Sequence, residues 1–148
     1  MSTSISSQKR LISDITDIYK NPLHSNGIYY THDEQDMGKG YCLMIGPEYS
    51  LYKFGFYLFE LTFTMTSNEG ESYPFIPPTV KFWTQDGKTR MNPNLYRNGK
   101  VCISILNTWR GDKWSSCQTI RSALLSILTV LNDTPLLNEP GLTVNHPE

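Results

Sequence analysis

The decapeptide FYLFELTFTM, residues 56–65, sets Tyr57, Phe59, Leu61, Phe63 and Met65 against Glu60, Thr62 and Thr64. Successive strand side chains point to opposite faces, so this alternation predicts a strand with one buried face. Three more segments read as strands: GIYYTH (27–32), YCLMI (41–45) and TVKFW (79–83). The connections between them look too short for helical crossovers, which predicts an antiparallel meander.

Helical periods flank this sheet. Near the start, Leu11, Ile12, Ile15, Ile18 and Tyr19 fall on one helical face, and Asn21-Pro22 stops the helix because proline disfavours the helical region in the residue before it. Lys9 and Arg10 sit in its first turn, where basic residues oppose the helix dipole. They read either as a solvated helix end or as a docking surface. Residues 1–7, rich in Ser and Thr, read as a frayed end. Toward the C-terminus, residues 119–131 carry Ile120, Leu124, Ile127, Leu128 and Leu131 as a core-facing stripe, with Ser115, Ser116 or Thr119 as candidate caps. The whole is an α/β chain of 148 residues, expected to form one domain over 1–148.

Two stretches resist a periodic reading. ESYPFIPPT packs three prolines into five residues, an extended rigid connection in which Phe75 is either a core plug or an aromatic displayed to a partner. Residues 85–101 show neither period and read as a functional loop.

Composition excludes several function classes. A net charge of -1 gives no electrostatic reason to expect nucleic acid or an anionic membrane as partner. No apolar run approaches the roughly 20 residues needed to span a bilayer, and the N-terminal stretch has no signal-like apolar region. Three cysteines, Cys42, Cys102 and Cys117, are an odd number without C-x-x-C spacing. That disfavours a disulfide framework and a Cys-only zinc site and points to a reducing intracellular compartment, cytoplasm or nucleus.

Cys102 opens an apolar run just after Asn98-Gly99. It reads as inert core, metal ligand, half of a protease dyad, or carrier thiol. A metal site needs further ligands, and His24, His32 and His146 show no ligand spacing. A protease needs one of them as base, without a local signature. A carrier thiol exchanges acyl groups with another thioester and needs no strong base. It does need an open approach and a donor for the developing oxyanion. Asn94, behind Pro93, supplies an amide donor, and a tight turn at Asn98-Gly99 brings it back toward Cys102.

These marks together resemble the ubiquitin-conjugating enzyme family over nearly the whole chain. QKRLISDITDIY resembles its first helix, and MIGPEYSLYKFGFYLFELTF its second and third strands. YPFIPPTVKF is similar to its Y-P-x-x-P-P segment, and NPNLYRNGKVCISIL to its His-Pro-Asn-to-cysteine segment. WSSCQTIRSALLSILTVL resembles its Trp-Ser-Pro turn and following helix, and NEPG its late acidic loop. The longer loop NTWRGDKW and NEPG resemble the Z-type subgroup.

The resemblance implies the conjugating fold: an N-terminal helix, a four-stranded antiparallel meander and a central helix. Two further C-terminal helices, usual in the family, are expected to be missing here. It implies that Cys102 carries the glycyl thioester of ubiquitin or a ubiquitin-like protein. It makes Asn94 the oxyanion stabiliser and Glu139 the residue that positions the acceptor lysine. Lys9, Arg10, Phe75, Ser115 and Ser116 fall on the ligase-docking face. An activating enzyme, a ligase and protein substrates are the implied partners, and no metal or cofactor is implied. A non-catalytic ubiquitin-binding module of the same fold is the alternative. Asn92 stands where the family has histidine, and Ser116 where it has proline.

Overall fold

The computed structural model describes residues 2–66 and 71–143. Four antiparallel strands, β1 (Ile28–His32), β2 (Lys39–Ile45), β3 (Phe56–Thr62) and β4 (Thr79–Phe82), lie in sequence order. The meander expected from the short connections is therefore present. One helix precedes it, α1 (Ser2–Lys20), and one follows, α2 (Ile120–Thr129).

The alternation in β3 does what its period dictates. Tyr57, Phe59, Leu61 and Phe63 enter the core, while Phe56 and Thr62 face out. The strand ends at Thr62, three residues before the alternation does. On β2, Cys42 and Met44 face the same core, and Cys42 stands opposite Phe59 across the ladder. Ile120, Ala123, Leu124 and Ile127 of α2 pack into this core, joined by Leu131 beyond the helix end. Thr119 is the cap among the three candidates: its hydroxyl accepts the Ser122 N–H, and the Ser122 hydroxyl accepts the Thr119 N–H at 2.8 Å.

The first helix departs from the sequence reading in two ways. It starts at Ser2, so residues 2–7 of the segment expected to fray are helical, residue 1 lying outside the described residues, and Lys9 and Arg10 lie mid-helix. Ser7 is buried and its hydroxyl meets that of Ser72 at 2.8 Å, an anchor composition did not reveal. Its inward face is Ser7, Leu11, Asp14 and Ile18, whereas Ile12 and Tyr19, expected in the core, are about half exposed. Spacing of i, i+4, i+7, i+11 selects the first set and leaves Ile12 and Tyr19 one step around the helix.

The proline-rich segment turns instead of running extended. The Phe75 N–H donates to the Ser72 carbonyl at 2.8 Å, and Tyr73–Pro74 is cis. The turn leaves Phe75 63% exposed, so it is not a core plug. Tyr73 fills the core instead, its hydroxyl donating to Asp14.

Candidate functional site

The chain between β4 and α2 is built around a short hairpin. The Cys102 N–H donates to the Asn94 carbonyl at 2.9 Å, and the Tyr96 N–H to the Lys100 carbonyl at 2.9 Å. Gly99 makes the reversal with φ of 87°. A side chain there would be strained by that φ and would place its Cβ 2.9 Å from the Phe82 carbonyl oxygen. The close approach has a use: the Phe82 N–H donates to the Gly99 carbonyl at 2.7 Å, hanging the hairpin on the end of β4.

This hairpin brings Asn94 to Cys102. The Asn94 Nδ2 donates to the Cys102 carbonyl at 2.7 Å, while its Oδ1 is buried without a hydrogen-bond partner. Asn92 orients the segment. Its Oδ1 accepts the Asn94 N–H at 2.8 Å, and its Nδ2 donates to the Tyr52 hydroxyl at 2.8 Å and to the Val130 carbonyl at 2.7 Å. Asparagine at this position thus binds the loop backbone and also reaches the core and the end of α2.

Val130 caps the C-terminus of α2, where helix carbonyls lack intrahelical donors. The Nδ2 of Asn138 reaches the same carbonyl at 3.3 Å. One helix end thereby anchors both the Asn94 segment and the residue next to Glu139. Glu139 follows a short 3-10 helix, Pro135–Asn138, and its Oε2 lies 3.5 Å from the Arg90 Nη2. Arg90 is held in turn by the Pro93 carbonyl at 2.8 Å and stacks over the Tyr96 ring.

Cys102 is only 3% exposed, so the open approach expected of a carrier thiol is not present in this conformation. Yet the apolar core cluster takes in its neighbours Val101 and Ile103 and not Cys102 itself. The hairpin holds the cysteine segment. The loop from Asn107 to Trp114 is fastened to the same segment by Thr108. The Thr108 hydroxyl lies 2.9 Å from the Val101 carbonyl and accepts the Ile103 N–H at 3.1 Å. Thr108 escaped the sequence reading because nothing in its local pattern signals a clamp. Cys42 is a poor rival nucleophile: burial pushes its thiol up to about 12. Cys117 is exposed, in the turn before α2.

Two depressions adjoin the cysteine segment. A cleft of about 730 Å³ is lined by Tyr96, Lys100, Thr108, Trp109, Lys113 and Glu139, among others. A smaller one of about 320 Å³ includes Asn94, Ser104, Trp109 and Asn138. Among the described residues no group of His, Cys, Asp and Glu is arranged to hold a metal ion, and no helix is long and apolar enough to cross a membrane.

The remaining sequence candidates gather where the middle of α1 meets the turn before α2. Arg10 bonds both oxygens of Asp14 at 3.1 Å, and it donates to the carbonyls of Ser116 at 2.7 Å and Gln118 at 2.6 Å. Its guanidinium ties α1 to the turn before α2. Trp114 donates to the Pro74 carbonyl at 2.7 Å, which places the exposed Phe75 beside that turn. Lys9, Ser115 and Ser116 are exposed.

Comparison with known proteins settles the family. Residues 10–144 match the family model described as ubiquitin-conjugating enzyme. The chain belongs to the ubiquitin-conjugating enzyme family. It is 44% identical over 133 residues to human ubiquitin-conjugating enzyme E2 Z, covering 89% of this chain and 35% of that protein. The Xenopus tropicalis E2 Z is 43% identical over 133 residues, with 89% and 40% covered. The Z-type likeness read from NTWRGDKW and NEPG therefore stands. The chain spans well under half the length of these relatives. Among solved structures, human ubiquitin-conjugating enzyme E2 G1 superposes with a TM-score of 0.67 at 30% identity, over 82% of this chain and 90% of that one. The fold expected from the sequence is thus the conjugating-enzyme fold.

Proposed function

We propose that this chain accepts ubiquitin, or a ubiquitin-like protein, from an activating enzyme as a thioester on Cys102 and transfers it to a lysine amine, usually with a ligase. In the first step the Cys102 thiolate attacks the incoming thioester carbonyl. A new C–S bond forms and the activating enzyme's thiolate leaves. The two thiols have similar acidity, so the exchange is near balance and needs no strong base. In the second step the neutral lysine amine attacks the Cys102 thioester, an amide forms, the Cys102 thiolate departs and the nitrogen loses its extra proton.

The observation that carries this reading is the paired hydrogen bonding of Asn94 and Cys102 on one hairpin. It keeps an amide donor beside the nucleophile. Asn94 then stabilises the oxyanion of the aminolysis step, an effect of roughly 10²–10³ in rate for a preorganised donor. Glu139, on the wall of the larger cleft, positions the incoming amine. A carboxylate by itself raises an amine's pKa, so deprotonation is left to partial desolvation in the cleft. The face formed by Lys9, Arg10, Phe75, Ser115 and Ser116 receives the ligase. The thiol chemistry requires a reducing compartment, cytoplasm or nucleus.

The test is charging. Activating enzyme, ATP and ubiquitin give an adduct that a thiol reductant removes and that Cys102→Ala lacks. A wild-type chain left uncharged by every ubiquitin-like protein tried overturns the reading and returns the chain to the non-catalytic binding module.

A further inference from the structure

We infer that the 730 Å³ cleft beside the cysteine selects acceptor lysines flanked by acidic residues, through Lys100, Arg110 and Lys113. The inference rests on Cys102 being the thioester carrier and adds the class of acceptor. The cleft adjoins the segment that carries the sulfur, although Cys102 itself does not line it: Thr108 in its wall bonds both neighbours of Cys102, and Lys100 lies two residues before it.

The charge of this cleft is unlike that of the chain. The whole sequence carries a net charge of -1. The lining holds Lys100, Arg110 and Lys113 against one carboxylate, Glu139, which Arg90 offsets at 3.5 Å. Asp112 lies in the same loop but does not line the cleft. All three cations are exposed, and among the described residues none has an ion-pair partner. Tyr96 and Trp109 give the cleft its apolar walls. A lysine amine aimed at Cys102 alongside Glu139 thus brings its flanking residues against unpaired positive charge. Acidic flanks are attracted, and basic flanks are repelled.

Three exposed pairs, each worth a small fraction of a decade to most of one, give a combined preference of about tenfold. The preference opposes the intrinsic chemistry, because acidic neighbours raise the amine's pKa and slow its attack in free solution. It is electrostatic, so salt removes it.

The experiment follows single-turnover discharge of the ubiquitin-charged chain to synthetic peptides. One peptide has its lysine between Asp and Glu residues, and the other has Asn and Gln there. The expected acidic-to-neutral rate ratio is about ten at low salt, falling toward one near about 0.5 M salt. In the triple variant Lys100→Gln, Arg110→Gln, Lys113→Gln the ratio falls to about one. These side chains are exposed, so the variant keeps its fold. A wild-type ratio near one, with the thioester formed and discharged by free lysine, overturns this inference and leaves the proposed function standing. Failure to form the thioester overturns both. Equal inhibition of both peptides by a short single-stranded DNA, without acid preference, reassigns the cleft to nucleic acid and overturns the inference as well.

Discussion

Asn94 and Cys102 hold each other through two hydrogen bonds. The Cys102 N–H donates to the Asn94 carbonyl at 2.9 Å, and the Asn94 side chain donates to the Cys102 carbonyl at 2.7 Å. The amide proposed to stabilise the oxyanion is therefore also a bracket for the backbone that carries the sulfur. Its two roles separate in Asn94→Ala. Leaving the buried Cys102 carbonyl without its side-chain donor costs about 1–3 kcal/mol, read as a lower melting temperature. Discharge of a preformed thioester to lysine slows by roughly 10²–10³, more than charging does. A variant that melts lower yet discharges at the wild-type rate excludes the oxyanion role.

Asn92 carries more of the architecture than the residue it brackets. Its amide joins the Asn94 N–H, the Tyr52 hydroxyl and the Val130 carbonyl. Asn92→Ala strands all three, at a cost of about 2 kcal/mol or more. In a chain this size that corresponds to a melting temperature lower by about 4–8 °C. Denaturation of the two proteins side by side checks it. A shift under a degree means that water replaces the bonds.

What the sequence made legible and what it hid differ in range. The alternation of residues 56–65 needs only neighbours two apart, and Asn98-Gly99 closes the Asn94–Cys102 hairpin over eight residues. Both were readable from the chain. The bonds of Asn92 to Tyr52 and Val130 span 40 and 38 positions, and that of Arg10 to the Ser116 carbonyl spans 106. No local pattern encodes them. Ile12 and Tyr19 misled for a related reason. A helix's apolar residues mark a broad arc, and only the packing partner decides which edge of it is buried. The burial of Cys102 is likewise set by tertiary packing that the residues around it do not encode.

Buried thiol and phenol groups give a signed pH dependence. Burial pushes the Cys42 thiol up to about 12, and burial also raises Tyr30 and Tyr73 above their ordinary values. Each holds its proton longer folded than unfolded. Between about pH 9 and 12 the native chain thus binds more protons than the unfolded one, and stability falls as pH rises. Below about pH 8.5, the ordinary cysteine value, this contribution is fully present. Urea midpoints should decline above about pH 9. In Cys42→Ala the decline should be smaller between about pH 9 and 10, before free tyrosines ionise. An identical slope in both proteins removes Cys42 from the account.

The Arg90–Glu139 pair lies 3.5 Å apart with both side chains more than a third exposed. Such a pair contributes about 0–1 kcal/mol to stability. Glu139→Ala should therefore melt within a few degrees of wild type while the ratio of lysine discharge to charging drops several-fold. Asn138→Ala tests how the carboxylate is placed, since Asn138 ties that segment to the Val130 carbonyl. It should reproduce the same fall in ratio more weakly, with a higher lysine concentration needed for half-maximal discharge. Discharge unaffected in Glu139→Ala would leave Glu139 a solvated loop acid.

The burial of Cys102 puts a gate into the proposed cycle, because a 3% exposed residue must be uncovered before another protein's thioester reaches it. Thr108 is the residue to test as its fastening. Its hydroxyl bonds Val101 and Ile103, on either side of the cysteine, and through it the Asn107–Trp114 loop is held down. Thr108→Val keeps the shape and removes the hydroxyl. Losing about 1 kcal/mol of closure raises the open population about fivefold, so iodoacetamide should alkylate Cys102 about that much faster. The other two cysteines calibrate the measurement by mass spectrometry of the digested chain. Exposed Cys117 reacts at once in both proteins, and buried Cys42 stays unreacted in both. Faster labelling of Cys42 as well would signal general unfolding. An unchanged Cys102 rate with Cys42 still protected would show that the cover over the sulfur is held by something other than Thr108.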